Sequence, residues 1–130
     1  MAATNNRKKT TAIPKVGANE MGKLPPQAPE LEESVLGALM IEKDAYASVA
    51  DLLRPESFYM DSNACIFEAI RSLAAQDAPI DLLSVIEQLK SQGNLEKAGG
   101  VLRLSELTRR VASAAHLRYH AQIVAQKATA

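Results

Sequence analysis

The run Gly17-Ala18-Asn19-Glu20-Met21-Gly22-Lys23-Leu24 has the GxxxxGK spacing of a loop whose backbone amides and lysine hold phosphates. Leu24, however, stands where a Ser or Thr hydroxyl must bind magnesium. The context is also wrong, because such a loop follows a buried strand and opens a helix, whereas this run follows polar residues and leads into Pro25-Pro26. Nucleotide binding is not expected here. His116 and His120 are four apart, a spacing that can hold a metal on one helical face, but no acidic residue lies between them as in HExxH. They read as surface or interface histidines. Cys65, beside Ile66 and Phe67, reads as a small core residue, since neither His has a sequence reason to approach it. The remaining carboxylates read as scattered over solvated faces. No catalytic, cofactor-binding or metal-ligating residue is therefore expected.

The elements that would carry these residues are helical. One hundred and thirty residues suit a single domain, and 47 % hydrophobic against 4 % aromatic residues, with no Trp, leaves a core of Leu, Ile, Val, Ala and Met. That composition favours helices over a sandwich or barrel. A single cysteine permits no intramolecular disulfide, and there is no apolar stretch long enough for a signal or a membrane span. The expectation is a cytosolic, soluble chain without membrane contact.

Leu24-Pro25-Pro26-Gln27-Ala28-Pro29 is a stiff lead-in to a first helix, with Pro29 at a position where a missing amide hydrogen costs nothing. Glu30, Glu32 and Glu33 favour the positive end of its dipole, and Leu31, Val35, Leu36, Leu39 and Met40 form an apolar stripe that buries one side. Asp44 can cap a second helix carrying Ala45, Val49, Leu52 and Leu53, which must stop near Arg54 because Pro55 follows. Phe58 and Tyr59 belong to a connector expected to plug into the core. Asp61, Ser62 or Asn63 then caps a third helix with Ile66, Phe67, Ile70 and Leu73 inward. Asp81 caps a fourth, with Leu82, Val85, Ile86 and Leu89, closed by Gly93. After the Gly99-Gly100 turn come a fifth helix with Val101, Leu104, Leu107 and Val111, and a sixth with Leu117, Ala121, Val124 and Ala128. The fold expected is all-α, a compact six-helix globular domain.

The zero net charge hides a split. Arg7, Lys8, Lys9, Lys15 and Lys23 against Glu20 give residues 1–23 a charge of +4, and the rest is −4. A segment rich in Thr, Asn and Lys cannot bury enough surface to offset its ordering entropy, so residues 1–23 are expected to be a disordered basic tail before a domain at 24–130. Its basic cluster is a weak candidate for touching DNA, and a solubilising leader is the plainer reading.

The order Leu24-Pro25-Pro26-Gln27, then Glu30-x-Glu32-Glu33-Ser34-Val35-Leu36-Gly37-Ala38-Leu39-Met40, resembles the opening of the N-terminal domain of DnaB-family bacterial replicative helicases. Pro55-x-x-Phe58-Tyr59, Ile66-Phe67, Pro79-Ile80-Asp81-Leu82, Leu95-Glu96 to Gly99-Gly100, Leu104-Ser105-Glu106-Leu107, Ser113-Ala114-Ala115 and Ala121-x-Ile123-Val124 continue at that family's spacing. The resemblance covers about residues 24 to 130. It implies a non-catalytic head that helps assemble a hexameric ring and docks the primase C-terminal domain during replication, with the helicase loader a further partner. ATP and magnesium would belong to a separate motor domain, and the setting would be bacterial cytoplasm near the nucleoid. The family's acidic residue at the start of the first helix and its aromatic just after the Gly-Gly turn, both implicated in communication with primase, fall at Glu30 and Arg103. Arg103 departs from the pattern, as do Asn63, Ala64 and Cys65, where many members carry His or Arg.

Two other classes compete with this reading. A stand-alone adaptor or helicase-loading regulator would share the fold, and a small helical DNA-binding protein would use Arg109-Arg110. The acidic folded part weighs against the second. The ending Ala125 to Ala130 has no natural helix stop, which favours an excised fragment lacking the helical hairpin and motor that the family carries next.

Overall fold

The computed structural model describes residues 29–110 and 116–129. They form six α-helices: α1 (Pro29–Ile41), α2 (Ala45–Val49), α3 (Asp61–Ala75), α4 (Leu82–Ser91), α5 (Gly100–Arg110) and α6 (Leu117–Thr129). A 3-10 turn lies at Pro55–Ser57, and the described residues contain no strand. The all-α, six-helix expectation is met. The basic tail, the phosphate-loop lookalike and Val111 lie outside the described residues.

Helix α1 occupies the centre, packed most extensively against α5 and α6, then α3, with lesser contact to α2 and α4. Every residue from Val35 to Met40 is buried, so the helix is enclosed on all sides over its second half. This corrects the expectation of one buried side: with five other helices around it, this stretch has no solvent face left, and the small Gly37 and Ala38 are buried with the rest. Its Leu36 and Leu39, with Ile66, Ile70, Val85, Leu89, Leu104 and Leu107 around them, form the body of the core. Leu31, Leu52 and Leu82 pack against that core but are only partly buried. Val101, 48 % exposed, and Ala128, also exposed, face outward instead of inward. They lie in the first turn of α5 and the last turn of α6.

Local chemistry sets most helix ends. Asp81 caps α4 as expected, its carboxylate accepting the Ser84 amide at 2.8 Å. Gly93, at φ 73°, closes the same helix: its amide donates to the Lys90 carbonyl at 3.0 Å and the Asn94 amide to Leu89 at 2.8 Å. Asp77, at φ 57°, closes α3 in the same pattern, with an Asp in the left-handed region that it tolerates better than most residues. Two expected caps fail. Asp44 has φ 68° and makes no capping bond, because it sits in the chain reversal after α1 and lacks the extended backbone that a cap residue needs. Helix α3 follows Met60 without a side-chain cap; Asp61 already lies in its first turn, and Asn63 is drawn inward by the contacts described below. Helix α2 is also shorter than expected, ending at Val49 well before Arg54.

Arg54 takes the extended backbone that Pro55 imposes, at φ −136° and ψ 165°, and donates its amide to Ser57 Oγ at 3.0 Å. That turn aims Phe58 into the core, where its ring stacks on Phe67 with centroids 5.1 Å apart. Tyr46 meets the other side of Phe67 at 6.0 Å. Tyr59, by contrast, is 57 % exposed, so the connector contributes one aromatic to the core and presents the other to solvent. Cys65 is buried as expected, and its thiol donates to the Ser62 carbonyl at 3.2 Å. Burial pushes its pKa up, which holds it as an unreactive thiol.

Arg118 on α6 grips Asp51 with two bonds of 3.1 Å and also donates to the Ser48 carbonyl, tying α6 to the end of α2. The guanidinium holds the Asp51 carboxyl below its ordinary carboxylate range. A lowered folded-state value gives stabilisation that is present above the unfolded value and lost as pH falls through the folded one. Asp51→Asn should therefore flatten the acid side of the stability profile, measured by thermal unfolding across pH. Because the pair is exposed, the difference from wild type should shrink in high salt.

Candidate functional site

The two positions singled out by sequence lie on one face of the molecule, where α1 meets α5. Glu30, in the first turn of α1, is exposed at the rim of a cleft of about 230 Å³ that Glu33, Ser34, Leu107 and Arg110 also line. Arg103, on α5, is drawn inward. Its Nη1 donates to the Ala98 carbonyl at 3.0 Å and its Nη2 to Glu33 Oε2 at 3.3 Å and Asn63 Oδ1 at 2.7 Å. Glu30 therefore offers a free carboxylate, while the Arg103 guanidinium is already engaged on three sides.

The contacts of Arg103 continue into the protein. Asn63, fully buried on α3, donates through Nδ2 to Glu32 Oε1 at 2.8 Å, and the Tyr59 amide donates to Glu32 Oε2 at 2.8 Å. Glu32 is itself 2 % exposed, so its carboxylate exchanges water for these two donors. At the surface end Arg110 donates to Glu33 Oε1 at 2.9 Å, leaving each oxygen of Glu33 bound by an arginine. The chain of contacts thus joins α1, α3 and α5 around the start of the central helix. This corrects the reading of all carboxylates as solvated. The signal was present in the sequence, because Glu32 falls on the same helical stripe as Val35, Leu36 and Leu39.

Gly99 belongs to the same arrangement. Its φ of 106° is one that L side chains rarely adopt, and a Cβ there would collide with the Arg103 side chain folded over it. The two glycines of the turn thus let the chain reverse into α5 and leave room for Arg103 to reach back to Ala98.

The other candidates for chemistry stay apart. His116 is exposed and His120 partly so, with ring centroids 6.2 Å apart, and Cys65 is buried in the core. Among the described residues no group of three or more His, Cys, Asp or Glu is placed to hold a metal. The α1–α5 face thus combines a cleft, an exposed Glu30 carboxylate and a backing of paired charges.

Residues 24–126 match the DnaB-like helicase N-terminal domain family. The chain belongs to that family. It is 50 % identical over 108 residues to the replicative DNA helicase DnaB of Rhodothermus marinus, and 39 % identical over 105 residues to that of Geobacillus stearothermophilus. These alignments cover 83 % and 81 % of the chain but 12 % and 23 % of the two relatives, so the chain spans a small part of the length of the proteins it matches. The crystal structure of the N-terminal domain of DnaB helicase from Mycobacterium tuberculosis superposes with a TM-score of 0.77 at 39 % identity, covering 81 % of this chain and 73 % of that one. The fold is that of the family's N-terminal domain. Within it, Asn63 and Arg103 are hydrogen-bonded to each other.

Proposed function

We propose that the domain is part of the N-terminal collar of a hexameric replicative DNA helicase, in bacterial cytoplasm near the nucleoid, and docks the primase C-terminal domain on its α1–α5 face. The helicase loader is a second partner of the same assembly. ATP and magnesium act in the motor domain of the whole helicase, and this domain contributes contacts. The observation that carries the docking assignment is the placement of Glu30 at the rim of a cleft whose other carboxylate, Glu33, is already saturated by Arg103 and Arg110. A cationic side chain entering the cleft meets Glu30 unpaired.

A DNA-binding role for the folded part has less support. Arg109 pairs with Glu106 and Arg110 with Glu33, so using either to neutralise phosphate first requires breaking an internal ion pair. DNA contact, where it occurs, is assigned to the basic segment 1–23. A stand-alone adaptor would share the same fold, and the proposed partner distinguishes it.

Calorimetry against the cognate primase C-terminal domain tests the reading. The chain should be mainly monomeric and bind weakly, and a form extended through the family's helical hairpin should bind on the order of 100-fold more tightly, because two linked contact regions share one association cost. Glu30→Lys should weaken both. Equal affinity of the two forms would place the whole interface on the head, and no binding by the extended form would move the function toward ring assembly.

A further inference from the structure

A second and larger depression, of about 670 Å³, lies between the α1–α2 turn and the α3–α4 connection, away from the α1–α5 cleft. Its apolar lining comes from Leu39, Met40, Ala45, Ala78 and Ile80. Glu42, Asp44, Asp77 and Asp81 also line it, against the single cation Lys43. Asp81 is used as a helix cap, but no described side chain pairs with Glu42, Asp44 or Asp77. The groove therefore suits an extended peptide that alternates apolar and basic residues.

The chain contains such a peptide. Ile13-Pro14-Lys15-Val16 places one lysine between apolar residues, a proline favours extended backbone, and the surrounding residues 1–23 carry +4. We propose that this groove is the docking site of the chain's own basic segment, with Lys15 directed at Asp44 and Asp77 and with Ile13 and Val16 on the apolar lining. The reach is adequate. Helix α1 is about 20 Å long from Pro29 to the groove, and the stiff lead-in of about six residues, at about 3 Å each, joined to a coil of about eight residues spanning about 16 Å, gives an average span of roughly 24 Å between Lys15 and Pro29. Matching span to distance gives a tethered segment an effective concentration on the order of millimolar, so a weak contact suffices. Neither regular secondary structure nor a core of its own is required of the segment.

The test is NMR of the whole chain, reading the amides of Tyr46, Asp77 and Ile80 in the groove and of Ile13 and Val16 in the segment. Raising salt from about 0.01 M to about 1 M shortens the screening length from about 30 Å to about 3 Å. Both sets should shift together as salt rises. Lys15→Glu should put the groove amides near their high-salt positions even at low salt. Asp44→Asn with Asp77→Asn should do the same to Ile13 and Val16, and Asn tolerates the left-handed backbone of both positions. Groove amides indifferent to Lys15→Glu would overturn the proposal. So would shifts that grow with protein concentration, which would mean that the segment docks on a second copy.

Discussion

Truncating Phe67 to Ala should cost about 3 to 5 kcal/mol of folding stability, read from denaturant or thermal unfolding. Phe67 is fully buried on α3, with Phe58 stacked at 5.1 Å on one side and Tyr46 at 6.0 Å on another. The ring thereby joins the connector, α2 and α3 in one contact, and its removal leaves a cavity that three elements cannot close together. Phe58 and Tyr46, the rings beside it, are anchored in the connector and in α2, so neither can move across to fill the space without unseating its own element. Phe58→Ala should follow the same trend, and the double variant should cost less than the sum because the two rings share one contact. A loss under about 1 kcal/mol for Phe67→Ala would mean that the connector does not seat as described.

Asn63→Ala should be nearly as damaging, by on the order of 3 kcal/mol, although it removes a small polar side chain. The reason is what it leaves behind. Glu32 would keep only the Tyr59 amide while remaining buried, and Arg103 would lose its shortest acceptor. The cost of an uncompensated buried charge exceeds the worth of the hydrogen bond itself. Replacing both Glu32 and Asn63 with Leu should therefore cost less than the sum of the two single replacements, with a coupling of about 0.5 to 3 kcal/mol. Strict additivity would show that the two side chains do not act on each other in solution.

This arrangement also shows how an arginine side chain is accommodated at position 103. An arginine at that site needs an acceptor from α3, and Asn63 supplies one at 2.7 Å. Asn63 and Arg103 are consequently one structural feature, joining α3 to α5. Arg103 backs the α1–α5 face from the inside by holding Glu33, while Glu30 stays exposed and unpaired among the described residues.

What the sequence by itself determined was the set of helices and much of their inward faces. Helical spacing placed Val35, Leu39, Ile70, Ile86 and Leu107 correctly in the core, and Asp81 and Gly93 marked the ends of α4, because such caps act within one turn of the chain. The family was equally legible, carried by many short segments in order. Tertiary structure decided the rest. That Val35 to Met40 of α1 are enclosed on all sides, and that Tyr59 turns out while Phe58 turns in, depends on which helices gather around one another. The burial of Glu32 depends on donors from 27 and 31 residues away. Local periodicity records which side of a helix is apolar, but a polar side chain becomes a core residue only when distant parts of the chain bring the hydrogen bonds that replace water.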